Sequence, residues 1–264
     1  MTVHLISVIG NSPGVGKPTL CRALAEWLTG LGASVDHFEE PDILTRPAFR
    51  PVAEEFAGGS GSVRPATLVA CTRAYVAESL GERGTGGERG TGGERGTGGE
   101  RGTGGERGTG GTGGEGRESR VHLVTDALLP FIPSLVAWGH SEEALVEFMD
   151  ELARAVEPAV QVTVVYVHDD PGTALRRAVA REGDAWGDWY VRKLSGSPGT
   201  RAVHDLASAA DHLRREEELT RRLLARSPWR LLTVDVGTLD AREAAAHARH
   251  RLADVLGLAD HGPA

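Results

Sequence analysis

Near its beginning the chain reads Asn11-Ser12-Pro13-Gly14-Val15-Gly16-Lys17. The mostly apolar residues 3–9 before this stretch predict a buried strand, and residues 17–31 after it carry leucines at helical spacing. A glycine-rich turn at such a junction points successive backbone N–H groups to one place at the positive end of the helix, and Lys17 adds a mobile cation. The sequence therefore predicts a loop that holds the phosphates of ATP or GTP, with a simple tight turn as the alternative.

The residues predicted to bind the nucleotide are those of the loop and the first helical turn: Asn11, Ser12, Pro13, Gly14, Val15, Gly16, Lys17, Pro18 and Thr19. Two of them depart from the usual P-loop pattern. Asn11 stands where a first glycine is usual, and asparagine tolerates left-handed backbone angles better than most residues. Pro18 replaces a serine or threonine whose hydroxyl coordinates Mg²⁺, and Thr19 points about 100° away around the helix. We therefore expect Mg²⁺ binding to be weakened or carried by acids elsewhere.

Apolar and amphipathic segments alternate along the rest of the chain. Strands are predicted at residues 3–9, 34–38, 121–125, 161–167 and 230–236. Helices are predicted at residues 17–31, 65–80, 141–156, 171–182, 202–226 and 240–256. The alternation favours a single α/β domain over residues 1–264, a three-layer αβα sandwich of the P-loop NTPase type with a five-stranded parallel sheet. Ligands of such sheets bind at the carboxyl ends of the strands.

One segment interrupts this alternation. The hexapeptide Glu-Arg-Gly-Thr-Gly-Gly is repeated five times between Glu82 and Gly111. Because no residue between Gly81 and Arg117 is apolar, the segment cannot bury enough surface to offset its chain entropy. We therefore expect residues 81–117 to form a disordered, glycine-rich insertion on the surface.

The composition is that of a globular protein, with 40% apolar and 25% charged residues and a formal net charge of −8. We expect no nucleic-acid and no membrane partner, because both favour a basic surface. The longest apolar stretch, residues 127–138, contains Pro130 and Pro133 and is too short to cross a membrane. No signal peptide precedes the first strand, so a cytoplasmic location is expected. Cys21 lies on the apolar face of a predicted helix and is expected in the core.

With these motifs the chain resembles the P-loop kinases of nucleosides and nucleotides, the group that contains the deoxynucleoside kinases and thymidylate kinase. The second strand is followed by Phe38-Glu39-Glu40-Pro41, and deoxynucleoside kinases carry a Glu-Pro at this point. The resemblance implies that Glu40, with Glu39 as the second candidate, accepts the proton of the substrate hydroxyl. The alternative is that both are solvated acids at a strand end. The resemblance also implies that Asp126 holds the metal, usually through water, with helix capping as the alternative.

Residues 171–200 resemble the lid of these kinases. The helix entering it carries Arg177 and Arg181 four residues apart on one face, whereas Arg176 points elsewhere. The resemblance implies that Arg177 and Arg181 close over the transferring phosphoryl group and neutralise its charge. Residues 183–190 would form the lid tip. Three tryptophans either stack on a nucleobase or belong to the core: Trp138, Trp186 and Trp189.

Together these features predict an ATP-dependent small-molecule kinase that uses Mg²⁺. Its expected catalytic residues are Lys17, Glu40, Asp126, Arg177 and Arg181. The expected partners are a nucleotide and a small acceptor, a nucleoside or nucleoside-like hydroxyl compound, and a homodimer is considered as well. A nucleoside monophosphate kinase is an alternative, although Ala127 follows Asp126 where the family often has an arginine that touches the substrate. A degenerate kinase or nucleotide-binding regulator is suggested by Pro18. A GTPase switch is disfavoured because no Asn-Lys-x-Asp segment follows the fourth strand.

Overall fold

The computed structural model describes residues 3–81, 121–126, 131–157 and 159–258. The glycine-rich repeat lies outside these residues, and Gly81, assigned above to the insertion, is instead the last residue of a helix. The predicted five-stranded parallel sheet is confirmed, with the order β2-β3-β1-β4-β5. The strands begin and end within one residue of the predicted positions: β1 (Val3–Ile9), β2 (Ser34–Phe38), β3 (Val121–Thr125), β4 (Val160–His168) and β5 (Arg230–Asp235).

Helices surround the sheet in the described part of the chain. They are α1 (Lys17–Gly30), α2 (Arg50–Glu55), α3 (Pro65–Gly81), α4 (Ile132–Ala137), α5 (Glu142–Val156), α6 (Pro171–Glu182), α7 (Asp184–Ser195), α8 (Leu206–Arg226) and α9 (Ala241–Leu256). Side chains just before several helices fix where they begin. The predicted start of α8 at residue 202 was wrong, because the Asp205 carboxylate accepts a hydrogen bond from the Ser208 N–H at 2.7 Å and caps the helix there.

The core has one layer on each face of the sheet. All residues of the central strand β1 are buried, as expected for a strand covered on both faces. Leu5 and Ile9 belong to the layer formed with α3 and α5, whereas Ile6 and Val8 belong to the layer formed with α1 and α9. Burial of each such side chain contributes about 1.5–3 kcal/mol. The three-layer αβα sandwich is therefore confirmed.

A third, smaller core joins α6, α7 and α8, in the region assigned to the lid. Leu175, Val203 and Leu213 are its buried centre, and Trp186 packs against it. Trp186 also stacks on Tyr190, with ring centroids 5.1 Å apart. The expected lid tip is thus the first part of a helix, and Trp186 is a core residue of this region.

The segment between β2 and α3 carries short elements that the sequence pattern did not reveal. They are 3₁₀ turns at Glu40–Leu44 and Pro47–Phe49, helix α2, and a π-helical turn at Phe56–Ser60. Prolines stand at the start of the first three of these elements, where their fixed φ favours the beginning of a helical turn. This segment runs along the carboxyl end of the sheet. No helix in the described residues is long and apolar enough to cross a membrane.

Candidate functional site

The loop between β1 and α1 has the backbone geometry that its glycines allow. Gly14 and Gly16 have φ values of 83° and 85°, in the left-handed region that favours glycine. Gly10 is needed for another reason, because a Cβ there would lie 2.4 Å from the carbonyl oxygen of Val167 on β4. The Lys17 ammonium folds back over the loop and donates to the Gly10 carbonyl at 2.9 Å. These contacts hold the loop close to the sheet at the start of α1.

Asn11 anchors this loop to distant parts of the chain. Its amide donates to Glu216 Oε1 at 2.8 Å and to Thr220 Oγ1 at 3.0 Å, both on α8. Its side-chain oxygen accepts from the Tyr166 hydroxyl at 2.6 Å. Glu216 is only 4% exposed and lies 3.3 Å from His212 Nε2. No residue pattern in α8 or β4 marks Glu216, Thr220 or Tyr166 as partners of the loop, so they were not predicted as site residues.

Two acids at neighbouring strand ends lie beside the lysine. The Glu40 N–H donates to Asp126 Oδ1 at 2.8 Å, which joins the ends of β2 and β3. Glu39 is engaged differently: its carboxylate contacts Arg22 at 2.6 Å and takes part in a capping box with Asp42. The Glu40 side chain is exposed to the cavity described below. Of the two candidate bases, Glu40 is therefore the one that lines a cavity in which a ligand could bind.

Partial burial shifts the pKa values of Lys17 and Asp126. Burial lowers the pKa of Lys17, while the negative charges of Glu40, Asp126 and Glu216 act in the opposite direction. Burial likewise raises the pKa of Asp126, and the hydrogen bond from the Glu40 N–H opposes this. Lys17 is the cation that the loop offers to the phosphates of a ligand, whereas the three acids around it oppose that negative charge unless a metal cation accompanies it.

A cavity of about 550 Å³ opens on one side of the loop. Lys17, Glu40 and Asp126 line it together, so three of the five expected catalytic residues face one space. Trp138 lines it as well, while the rest of its wall is mainly apolar. The remaining lining residues are Ile9, Gly10, Asn11, Pro41, Ile43, Val52, Phe56, Val63, Leu68, Phe131, Pro133, Ser134 and Thr220.

A second cavity of about 320 Å³ lies on the other side of the same loop. Gly14, Gly16 and Thr19 line it, so Thr19 faces away from the cavity of Lys17, as its helical position predicts. Arg177 and Arg181 line it from α6. The other lining residues are Val15, Leu20, Val167, Val236, Leu239, Asp240, Ala241 and Ala244.

The arginines of α6 differ in their partners. Arg177 forms an ion pair with Asp169, whose side chain is buried, and Arg181 contacts Glu182 at 2.7 Å. Arg176 donates to the Thr173 hydroxyl at 2.8 Å. Arg177 and Arg181 thus share a cavity that contains the loop glycines, whereas Arg176 lies at the edge of a different pocket.

The metal-binding capacity of the site is limited to carboxylates. Pro18 is exposed in the first turn of α1 and offers no oxygen ligand. Within the described residues there is no group of three or more His, Cys, Asp or Glu that could hold a metal ion. Asp126 and the adjacent Glu40 fit Mg²⁺, which is commonly held by one or two carboxylates together with substrate phosphates and water.

Of the tryptophans, Trp189 is 48% exposed and Lys193 lies over its ring.

Comparison with known proteins gives a likeness of fold only. No family model and no curated protein sequence matches the chain. Among solved structures, thymidylate kinase from Candida albicans is similar at 11% identity and a TM-score of 0.47, covering 97% of this chain and 93% of that one. That score is too low to identify a family. The fold class therefore rests on the sheet order and on the loop described above.

Proposed function

We propose that the chain is an ATP-dependent phosphotransferase that moves a phosphoryl group to the hydroxyl of a small molecule. The proposal rests on one observation: two cavities flank a single glycine-rich loop, and one of them brings a lysine and two carboxylates together. A donor and an acceptor bound on opposite sides of the loop would meet at its phosphate-facing N–H groups. A nucleoside or nucleoside-like acceptor, expected from the resemblance, remains a prediction.

The smaller cavity suits the nucleoside part of ATP. Val236, Leu239 and Ala241 give it an apolar wall for a base. Arg177 and Arg181 also line it, and they would have to exchange their partners Asp169 and Glu182 for a phosphate in order to bind one. The N–H groups at the start of α1 and the Lys17 ammonium would hold the β- and γ-phosphates. Positioning and charge neutralisation are the main contributions that a protein makes to phosphoryl transfer.

The larger cavity suits the acceptor. In the proposed reaction the acceptor oxygen forms a bond to the γ-phosphorus as the bond to the β–γ bridging oxygen breaks, and ADP leaves. The acceptor proton passes to the Glu40 carboxylate, which is exposed to this cavity. Asp126 is the residue that would hold Mg²⁺, which when bound neutralises phosphate charge. The hydrogen bond from the Glu40 N–H fixes the two acids relative to each other.

A second candidate function is a nucleotide-binding regulator without phosphoryl transfer. Pro18 favours it, because the loop lacks the hydroxyl ligand that P-loop kinases give to Mg²⁺. A regulator would bind ATP through the same loop but would not respond to an acceptor.

ADP release from the full chain distinguishes the two functions when it is measured with and without a library of small alcohols that includes nucleosides. A phosphotransferase should release ADP faster with its acceptor, and Glu40→Gln should abolish that increase. Glu39→Gln is the matched control, since Glu39 is paired with Arg22 and should leave the increase intact. If ATP binds and no compound changes ADP release in any variant, the regulator is the better account.

A further inference from the structure

The charges on the wall of the larger cavity indicate which kind of acceptor could bind there. Of the described lining residues, Lys17 alone is cationic, whereas Glu40 and Asp126 are acidic. Lys17 already donates to the Gly10 carbonyl and is the residue expected to meet the donor phosphates. The part of the wall that the structure describes therefore offers no separate cation to an acceptor that carries a phosphate of its own. Two carboxylates within the same space would repel such a group.

Two of the arginines close to this wall in sequence, Arg46 and Arg64, are engaged elsewhere. Arg46 and Arg64 lie on the segment between β2 and α3 that supplies much of the lining. Arg46 forms two hydrogen bonds with Asp36, at 2.9 and 3.0 Å, and its guanidinium lies over the Phe38 ring. Arg64 is paired with Glu55 at 2.8 Å. Releasing either arginine to bind a phosphate would break an existing ion pair.

The rest of the described wall is mainly apolar. Asn11 and Thr220, two of its polar residues, are bonded to each other at 3.0 Å. Phe56 lines the cavity while remaining 50% exposed, so part of its ring is open to contact with a ligand. A ligand with many polar groups would lose its water there without gaining partners, which costs free energy.

We propose that the acceptor is an uncharged alcohol with a mainly apolar body, more apolar than a nucleoside and without a phosphate group. Its hydroxyl lies at the acidic end of the cavity, near Glu40 and Asp126, and its body contacts Phe56 and the other apolar lining residues. The cavity volume of about 550 Å³ is within the range of small-molecule sites. This inference depends on the proposed function for the chemistry of the hydroxyl, but the preference for an apolar body can be tested by binding alone.

The test is calorimetric titration of the full chain with three kinds of probe: naphthylethanol or biphenylmethanol, thymidine, and thymidine monophosphate. Titrations are made with and without a non-hydrolysable ATP analogue. The aromatic alcohols should bind at least about tenfold more tightly than thymidine monophosphate, because the cavity is acidic and apolar. Thymidine should lie between them. Tighter binding of thymidine or its monophosphate than of both alcohols would overturn the proposal, as would failure of both alcohols to bind.

Variants at position 56 test whether the alcohols bind in this cavity, and they should leave the core packing intact because Phe56 is exposed. Phe56→Ala should weaken the alcohols about tenfold and leave the affinity for the ATP analogue unchanged. Phe56→Arg should shift the preference towards thymidine monophosphate, because it adds a cation to the wall. Leu80→Ala, a substitution of another exposed apolar residue outside the cavity, is the control and should change neither. If neither Phe56 variant changes the affinity for the alcohols, the proposal is contradicted. If the alcohols bind as expected but the chain does not transfer a phosphoryl group from ATP to them, the proposed function is wrong and the inference about the cavity stands.

Discussion

The side-chain amide of Asn11 donates a hydrogen bond to Oε1 of Glu216, 2.8 Å away and 205 positions along the chain. The contact joins the glycine-rich loop to α8, which packs across α5 and α6. Glu216 is almost fully buried, and a buried carboxylate is costly unless its oxygens are hydrogen-bonded. The amide of Asn11 and the ring of His212 are its partners among the contacts described. The conformation of the loop and the burial of Glu216 therefore depend on each other.

The first prediction is that Asn11→Gly destabilises the protein, although it restores the residue that P-loops usually have at this position. The variant removes a donor from a buried carboxylate, which should lower the free energy of unfolding by about 1–3 kcal/mol. Urea denaturation measures this change. The double variant Asn11→Gly with Glu216→Gln should recover part of the loss, because a neutral amide tolerates burial better than a carboxylate. A single variant as stable as the parent would show that Asn11 does not support Glu216.

The second prediction concerns nucleotide affinity. Lys17→Ala removes the cation that lies over the loop and should cost roughly 2–4 kcal/mol of ATP binding through lost charge-assisted contacts. Calorimetry with the full chain gives the affinity. Lys193→Ala is the matched control, because Lys193 lies over the Trp189 ring and outside both cavities. Equal ATP affinity of the parent and the Lys17 variant would contradict phosphate binding by this loop.

The sequence predicted those parts of the structure that depend on short-range patterns. The strands were found because apolar runs such as residues 3–9 are typical of a sheet covered on both faces, and the loop because its glycines directly precede Lys17. The meeting of Lys17, Glu40 and Asp126 in one cavity follows from their positions after neighbouring strands. Glu216 could not be found in this way, because on an amphipathic helix a buried acid looks like a solvated one until its distant partner is known.

Short elements were missed for a related physical reason. The segment that carries Glu40, Ile43 and Phe56 to the cavity consists of turns too short to show a helical period, so its path could not be predicted from residue patterns. Residues 183–190 were predicted to form a lid tip because they follow the helix that resembles the entry to a kinase lid. In the structure Trp186 is held by packing with α6 and α8, and tertiary contacts of this kind override local pattern.

The third prediction is a pH dependence of stability. The Glu55 carboxylate contacts Arg64 and accepts from the Thr67 hydroxyl, and these bonds lower the pKa of Glu55 from 4.5 to about 2. Since the folded-state pKa is lowered, the ionised Glu55 stabilises the fold above pH 4.5, and this contribution is lost as the pH falls towards 2. Glu55→Gln should therefore be less stable than the parent at neutral pH, with the difference shrinking as the pH falls through that window.

Denaturation curves at a series of pH values measure this difference. Glu54→Gln, a change at an exposed neighbour on the same helix, is the control and should behave like the parent. A difference between the Glu55 variant and the parent that stays constant from neutral to acidic pH would exclude the ion pair as its cause. Glu55 accepts a hydrogen bond from the N–H of Arg64, the residue after Val63, which lines the larger cavity, so its variant should also weaken binding there.

The last prediction is that a substitution at position 18 raises the rate of phosphoryl transfer. Pro18 is tolerated in the first turn of α1 because the N–H groups there have no partner within the helix. It removes a hydroxyl ligand for Mg²⁺ and a phosphate-facing N–H together. Pro18→Ser should restore both, reduce the Mg²⁺ concentration needed, and raise phosphoryl transfer on the order of tenfold, or ~1.4 kcal/mol of barrier. Pro18→Ala is the matched control, since it restores the N–H without the hydroxyl and should improve nucleotide affinity more than turnover. If neither variant turns over faster with any acceptor while both bind ATP, Pro18 does not limit catalysis, and nucleotide binding without phosphoryl transfer becomes the better description of this chain.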